Sequence, residues 1–165
     1  MMTLKHILVA TDFGDASETA LAYGREFARR FGATLHVLHV VDDVATRVDL
    51  AAGLPPDVGH LQADFEERAR INLEALVGEE DRRELHARVV LRTSAVPERA
   101  IVSYAADQHV DLIVMGTHGR GPVAHLFMGS VAERVVRRSP CPVLTVRHPE
   151  HEFVHPDALQ VVTHA

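Results

Sequence analysis

The segment MGTHGRG at 115–121, followed by MGSVAE at 128–133, decides how this chain is interpreted. It leaves an apolar run that ends at Met115, passes through three glycines, and leads into a helical pattern that begins at Ser130. Glycine lets the backbone approach an anion closely and adopt positive φ. The N-terminus of a helix presents unpaired N–H groups and the positive end of the helix dipole. The segment therefore predicts a buried strand, a loop able to hold phosphate groups, and a helix whose Ser130 hydroxyl can reach a phosphate or a divalent cation.

Apolar runs and helical patterns alternate along the rest of the chain. Continuous apolar runs predict strands at 6–10, 35–41, 85–91, 112–115 and 143–146. Helical spacing of apolar residues predicts helices at 15–31, 61–77, 97–109 and 130–138, with a loop at 42–60 and a charged turn at 79–84. This order predicts an α/β fold: a doubly wound, Rossmann-like sheet of five parallel strands with helices on both faces. The predicted domain is 1–147, and 148–165 is a polar tail.

Topology alone suggests where a ligand would bind. Ligands of doubly wound sheets bind beyond the carboxyl ends of the strands, at the point where the strand order reverses. If the first and fourth strands flank that point, Asp12 and Gly116 face the same crevice. A carboxylate at the end of a strand can also simply cap the following turn.

The glycine segment also has interpretations that need no ligand. Its spacing is neither that of a P-loop, which would contain Gly-Lys-Ser or Gly-Lys-Thr, nor that of the dinucleotide-binding fingerprint, which follows the first strand. Gly116 and Gly119 could form only the turn after the fourth strand. Ser130 with Glu133 matches a capping box, which by itself begins a helix. From these residues alone, phosphate binding and a structural turn both stay open.

Composition and charge limit the class of function. The 165 residues are 47% hydrophobic and 24% charged, as expected of one globular domain. A net charge of −6 argues against nucleic-acid binding, because a phosphate backbone requires clustered positive charge. A single cysteine, Cys141, fits a reducing compartment, and neither a signal peptide nor a long apolar segment is recognisable. We expect a cytoplasmic protein that binds neither nucleic acid nor membranes.

The spacing Gly116-x2-Gly119-x9-Gly129-Ser130 resembles the ATP-binding motif of the universal stress protein family. The resemblance extends over residues 3–147. KHILVATDF at 5–13 resembles the first strand of the family with its aspartate, LHVV at 38–41 the second strand, and SPCPVL at 139–144 the last strand. The resemblance implies ATP binding, because members of the family that keep the glycine motif bind ATP, whereas those that lack it generally do not, and this chain keeps it.

The resemblance implies a role for each matching position. Asp12 would lie near the ribose, the backbone of Val40 would contact adenine, Thr11 would neighbour the pocket, and Met115 would line its floor. Apart from the resemblance, His118 and Arg120 lie within the glycine loop and could bring positive charge toward a triphosphate, or could point to solvent as loop-tip residues often do. The predicted nucleotide-binding residues are Thr11, Asp12, Val40, Met115, Gly116, His118, Gly119, Arg120, Gly129, Ser130 and Val131. The implied ligand is ATP, or ADP or AMP, accompanied by Mg²⁺ or Mn²⁺.

Binding ATP does not establish turnover, because phosphoryl transfer also needs a positioned nucleophile, metal ligands and stabilisation of the leaving phosphate. Besides glycine amides, Ser130 and Arg120, the sequence offers no loop lysine and no evident catalytic base. It therefore favours a nucleotide-responsive regulatory module of the stress response, whose surface a protein partner reads. A slow ATPase or autophosphorylating enzyme, and a dimerising scaffold with incidental nucleotide, are the alternatives.

Assembly and the tail complete the expectations. The last strand, Val143 to Val146, would be an edge strand, and an exposed apolar edge tends to be covered or paired. The resemblance implies a homodimer formed by antiparallel pairing of this strand. In the tail, His148, His151 and His155 lack the further ligands that a metal site normally brings, so we expect a solvated tail and no protein metal site.

Overall fold

The computed structural model describes residues 3–46, 57–117 and 128–148. The elements, in chain order, are β1 (His6–Ala10), α1 (Asp15–Phe31), β2 (Thr34–Val41), a 3₁₀ turn (Val44–Thr46), α2 (Val58–Leu76), α3 (Glu79–Leu85), β3 (Arg88–Thr93), α4 (Pro97–Asp107), β4 (Leu112–Gly116), α5 (Ser130–Arg138) and β5 (Val143–Val146). The strands form one five-stranded sheet in the order β3-β2-β1-β4-β5, and every neighbouring pair is parallel. The predicted doubly wound α/β fold is confirmed.

The strand order reverses between β1 and β4. The chain runs outward from β1 through β2 to β3, then returns to place β4 on the other side of β1. In that pairing Ala10 lies opposite Met115, so the turns that follow β1 and β4 leave the sheet side by side. Asp12 and Gly116 therefore face one crevice, as the topology argument predicted.

Alternation along the strands explains why they are apolar throughout. In β1, Ile7 and Val9 belong to the cluster under α1, α2 and α3, whereas Leu8 and Ala10 belong to the cluster under α4 and α5. Ile7, Leu8 and Val9 are fully buried. A strand covered on both faces needs apolar side chains at every position. No helix in the described ranges is long and apolar enough to cross a bilayer.

The charged segment at 79–84 is a helix, not the predicted turn. Residues Glu79–Leu85 form α3, with acidic residues in its first turn and basic residues in its last, which complements the helix dipole. Arg25 of α1 holds α3 in place: its Nε lies 3.0 Å from each carboxylate oxygen of Asp81, and its Nη2 donates to the Leu76 carbonyl at 2.8 Å. The predicted start of the third strand at Leu85 was therefore wrong, and β3 begins at Arg88.

A glycine is the N-cap residue of both helices at the crevice. Gly14 is the residue before α1, and the Ser17 hydroxyl accepts the Gly14 N–H at 3.1 Å and donates to its carbonyl at 2.8 Å. Gly129 is the residue before α5, so Ser130 is the first residue of that helix and makes no side-chain cap. The capping box predicted for Ser130 with Glu133 is wrong, and that ligand-free explanation of Ser130 is removed.

A buried polar chain crosses the α4 side of the sheet. His36 of β2 is 0% exposed. Its Nδ1 lies 2.8 Å from the Tyr104 hydroxyl of α4, and its Nε2 lies 3.2 Å from Nδ1 of His6. Burial, and then the nearby charges of Arg88 and His6, lower the pKa of His36 to about 4. The imidazole is therefore neutral at pH 7, with both ring nitrogens partnered.

Candidate functional site

A cavity of about 750 Å³ opens at the carboxyl ends of β1, β2 and β4. Eight of the eleven predicted nucleotide-binding residues line it: Thr11, Asp12, Val40, Met115, Gly116, Gly129, Ser130 and Val131. The other three, His118, Gly119 and Arg120, lie outside the described residues. Residues far apart in sequence thus converge on one space of a size that suits a small-molecule ligand. Their part in binding stays a prediction.

The turn between β1 and α1 forms one wall and is tightly held. The Thr11 hydroxyl accepts the Phe13 N–H at 3.0 Å and lies 3.1 Å from the Ser17 hydroxyl. An Asp12 carboxylate oxygen accepts the Gly14 N–H at 3.1 Å, so Asp12 does cap this turn. Phe13 adopts φ of 63°, an uncommon conformation for a residue with a side chain. These contacts fix the Asp12 carboxylate at the cavity wall.

His39 supports the same turn from β2. Its Nδ1 lies 2.8 Å from the Thr11 carbonyl oxygen, and since a carbonyl only accepts, Nδ1 carries the proton. The ring also packs on Phe13, with centroids 4.3 Å apart. His39 and Ser17 both line the cavity, although the sequence singled out neither. The contact from His39 to Thr11 spans 28 residues, and no sequence pattern signals it.

Gly116 is required by packing. A Cβ built on it would lie 2.9 Å from Cβ of Ala16 and 3.1 Å from the backbone nitrogen of Ser17. Both distances are tighter than ordinary contacts, so a side chain here would push the first turn of α1 away from β4. The glycine therefore lets the two halves of the crevice approach each other. This is a third explanation for a glycine at position 116, besides the turn after β4 and the close approach of a phosphate.

The first turn of α5 forms the opposite wall. Gly129 is fixed by donating its N–H to the Thr117 carbonyl at 2.7 Å, and the first intrahelical bond runs from Glu133 N–H to the Gly129 carbonyl at 3.0 Å. The N–H groups of residues 130–132 consequently have no acceptor within the helix. All three residues line the cavity. This row of donors, with the positive end of the helix dipole, is suited to an anion.

The peptide edge of Val40 faces the other end of the cavity. Residues at alternate positions of β2 turn their peptide groups toward β1, since Thr34 N–H donates to the Lys5 carbonyl and the Leu38 carbonyl accepts from Thr11 N–H. The last register pair between the two strands joins Ala10 and Leu38. Val40, two residues further on, therefore presents its peptide edge beyond the end of β1.

Apolar side chains surround that end of the cavity. They come from the 3₁₀ turn, α2 and α4, and are Val44, Phe65, Ala69, Pro97 and Ile101. Phe65 is 43% exposed, so the cavity reaches the surface beside its ring. A flat apolar group with polar edges fits such an environment, because its faces pack on side chains while its edge bonds to the backbone.

The charged side chains in the described lining of the cavity are all acidic. The described lining contains two carboxylates, Asp12 and Asp42, and no lysine or arginine. Within the described ranges no group of three or more His, Cys, Asp or Glu side chains could hold a metal ion. An anionic ligand would therefore meet its compensating charge in the α5 amides, in residues outside the described lining, or in a cation that it carries with it.

Fold and cavity together define a class: a doubly wound α/β domain with a cavity at the switch point of the sheet, where ligands of such folds bind. The family model described as "Universal stress protein family" matches residues 3–147. A universal stress protein of Thermus aquaticus is 36% identical over 147 residues, which cover 87% of this chain and 98% of that protein. The chain belongs to the universal stress protein family.

Solved structures agree with this assignment. Universal stress protein UspA from Lactobacillus plantarum aligns with a TM-score of 0.72 and 26% identity, covering 89% of this chain and all of that chain. A universal stress protein from Archaeoglobus fulgidus in complex with dAMP aligns with a TM-score of 0.61 over 88% of this chain and 99% of that chain. Its identity is 21%, so the likeness concerns the fold.

Proposed function

We propose that this protein binds an adenine nucleotide, ATP in the first instance, in the switch-point cavity. The observation that carries the proposal is the α5 wall: residues 130–132, whose N–H groups have no acceptor within the helix, line a cavity whose far end is apolar and edged by the Val40 peptide. The phosphates lie against the first turn of α5, and the base lies at the apolar end of the cavity beside Val40. Asp12 lies between them, near the ribose. A protein of the same fold, that of A. fulgidus, forms a complex with dAMP, so this architecture is compatible with such a ligand.

A divalent cation, Mg²⁺ or Mn²⁺, accompanies the nucleotide in this proposal. ATP brings several negative charges toward a described lining that already holds Asp12 and Asp42. Mg²⁺ is commonly held by substrate phosphates with only one or two protein oxygens, and the Ser130 hydroxyl and the Asp12 carboxylate would supply one such oxygen from each wall. Chelation of the metal should therefore weaken ATP binding more than adenosine binding.

The proposed role is that of a nucleotide-responsive regulatory module of the stress response. Occupancy of the cavity couples the turn after β1, the first turn of α5 and the 3₁₀ turn after β2, which all contribute to its lining. A ligand that bridges these walls stabilises the arrangement in which they lie close together. A protein partner that contacts the rim would then distinguish the loaded from the empty form.

Homodimerisation through β5 is the second part of the proposal. β5 lies at one edge of the sheet and pairs with β4. The Pro142 carbonyl accepts from Ile113 of β4, and the Val146 carbonyl accepts from Thr117 just after β4. The peptide groups of the alternating residues Val143 and Thr145 therefore turn toward the open edge. Antiparallel pairing of two β5 strands would satisfy them.

The binding proposal is tested by identifying small molecules that denaturation releases from freshly purified protein, and by titrating emptied protein with Mg-ATP. Ser130→Ala and Asp12→Asn should each weaken binding by about tenfold, the usual effect of losing one charge-assisted hydrogen bond. Asp12→Asn keeps an oxygen for Gly14 N–H and so preserves the turn. Ser103→Ala and Asp64→Asn, on exposed helix faces, are matched controls and should bind normally. Wild-type protein that neither retains nor binds adenine nucleotide would refute the proposal.

A further inference from the structure

A buried carboxylate lies just behind the wall between α4 and α5. Glu98, in the first turn of α4, is 3% exposed. Its Oε1 accepts from Nη1 of Arg134 at 3.2 Å and lies 3.9 Å from Nη1 of Arg138. Both arginines belong to α5 and keep about half of their side-chain surface exposed. The ion pair therefore joins two helices while only the acid is buried.

The two helices meet at the cavity. On α4, the cavity is lined by Pro97, which precedes Glu98, and by Ile101, which follows Glu98 by about one helical turn. On α5, residues 130–132 line it, and Arg134 follows within the next turn. The ion pair thus lies less than two helical turns from the donors that face the proposed phosphates.

Apolar packing alone fixes the spacing of α4 and α5 but not their displacement along each other. Ala132, Val135, Ile101 and Ala105 share one buried cluster, and such contacts tolerate small shifts because they are not directional. A buried carboxylate without its cation is strongly unfavourable, and a hydrogen bond weakens steeply when its geometry is lost. The contact from Glu98 to Arg134 therefore selects one displacement.

We propose that Glu98 is a positioning residue, which through Arg134 sets the first turn of α5 against the cavity and so determines affinity for the phosphates of the ligand. The inference rests on the proposed nucleotide binding and adds to it a residue outside the cavity. Gly129, held by the Thr117 carbonyl, anchors the start of α5, and Glu98 anchors the helix one turn later. These two contacts fix the orientation of α5, and that orientation sets the direction of the N–H groups of residues 130–132.

The first experiment compares ATP with adenosine, each titrated by calorimetry into wild-type protein, Glu98→Gln and Arg134→Met. If the N–H groups of residues 130–132 are displaced, the affinity for ATP should fall by about tenfold, as expected for losing one charge-assisted hydrogen bond. The affinity for adenosine, which has no phosphate, should stay within about twofold of the wild-type value. Arg137→Met is the matched control, because Arg137 pairs on the same helix with the exposed Glu133, and it should change neither affinity. If the affinities for both ligands fall equally, or if neither affinity changes, Glu98 has only a structural role and the inference is wrong.

The second experiment needs no nucleotide. Amide hydrogen exchange of residues 133–136 in α5 should accelerate in Glu98→Gln and Arg134→Met, while exchange in α1 stays at the wild-type rate. Unchanged exchange in α5, or a uniform increase throughout the protein, would overturn the positioning role. If wild-type protein binds neither ATP nor adenosine, the proposed function fails, and exchange alone then decides whether Glu98 positions α5. Should Glu98→Gln not fold, Arg134→Met provides the same comparisons.

Discussion

Acidification should destabilise this protein through one residue, His36, well above the pH at which carboxylates titrate. The folded protein holds the pKa of His36 at about 4, because burial and then Arg88 and His6 oppose its charge, whereas an exposed histidine has a pKa near 6.5. Between those values the unfolded chain binds a proton that the folded protein excludes. Stability from this residue is therefore complete above pH 6.5, declines as the pH falls toward 4, and then changes no further.

The magnitude follows from the two pKa values. A lowering from 6.5 to about 4, at roughly 1.4 kcal/mol per pKa unit, corresponds to about 3 kcal/mol. That is a large fraction of the roughly 5–15 kcal/mol by which a domain is stable. Protonation would also make both ring nitrogens donors, so the Tyr104 hydroxyl oxygen and Nδ1 of His6 would both have to accept.

The assay is urea unfolding from pH 7.5 to pH 4 for wild-type protein, His36→Gln and His60→Gln. His36→Gln should be less stable than wild type at pH 7.5 and lose less stability on acidification, so the two curves converge toward pH 4. His60, exposed on α2, is the matched control, and its variant should follow the wild-type profile. Parallel wild-type and His36→Gln profiles would refute the reasoning, because His36 would then not be the residue that excludes the proton.

Three further predictions concern packing, an ion pair and assembly. Gly24→Ala should destabilise the fold by about 1–3 kcal/mol in urea unfolding, since its Cβ would overlap Cγ2 of the fully buried Val9; a loss below 0.5 kcal/mol would show that α1 moves freely. Asp81→Ala should cost about 1–3 kcal/mol, because it leaves Arg25 partly buried without its anion, whereas truncating exposed acids of α3 should cost under about 0.5 kcal/mol. Thr145→Pro should convert the proposed dimer to monomer in light scattering while the thermal transition stays cooperative, because proline removes an outward donor from the edge of β5; an unchanged mass would exclude pairing through this edge.

Local sequence determined much of the fold because its signals are short-range. Continuous apolar runs predicted strands covered on both faces, and α5 and β5 begin and end at the predicted residues. The resemblance to a known family supplied the site residues, and the eight that the structure describes lie on one cavity. Where the sequence carries only charge, as at 79–84, periodicity gave no guidance. Helix α3 lies there, and Arg25, 56 residues earlier, binds its Asp81.

Tertiary structure decided the remaining features, because each depends on a partner that is distant in sequence. The order β3-β2-β1-β4-β5 follows from which strands pair, and it alone brings the turns after β1 and β4 together. His39 reaches the turn after β1 across 28 residues, and Glu98 reaches Arg134 across 36. Gly116 has no room for a side chain because α1 lies against it. Hydrogen bonding, charge pairing and close packing depend on the distance in space between two groups, and their separation along the chain does not specify that distance.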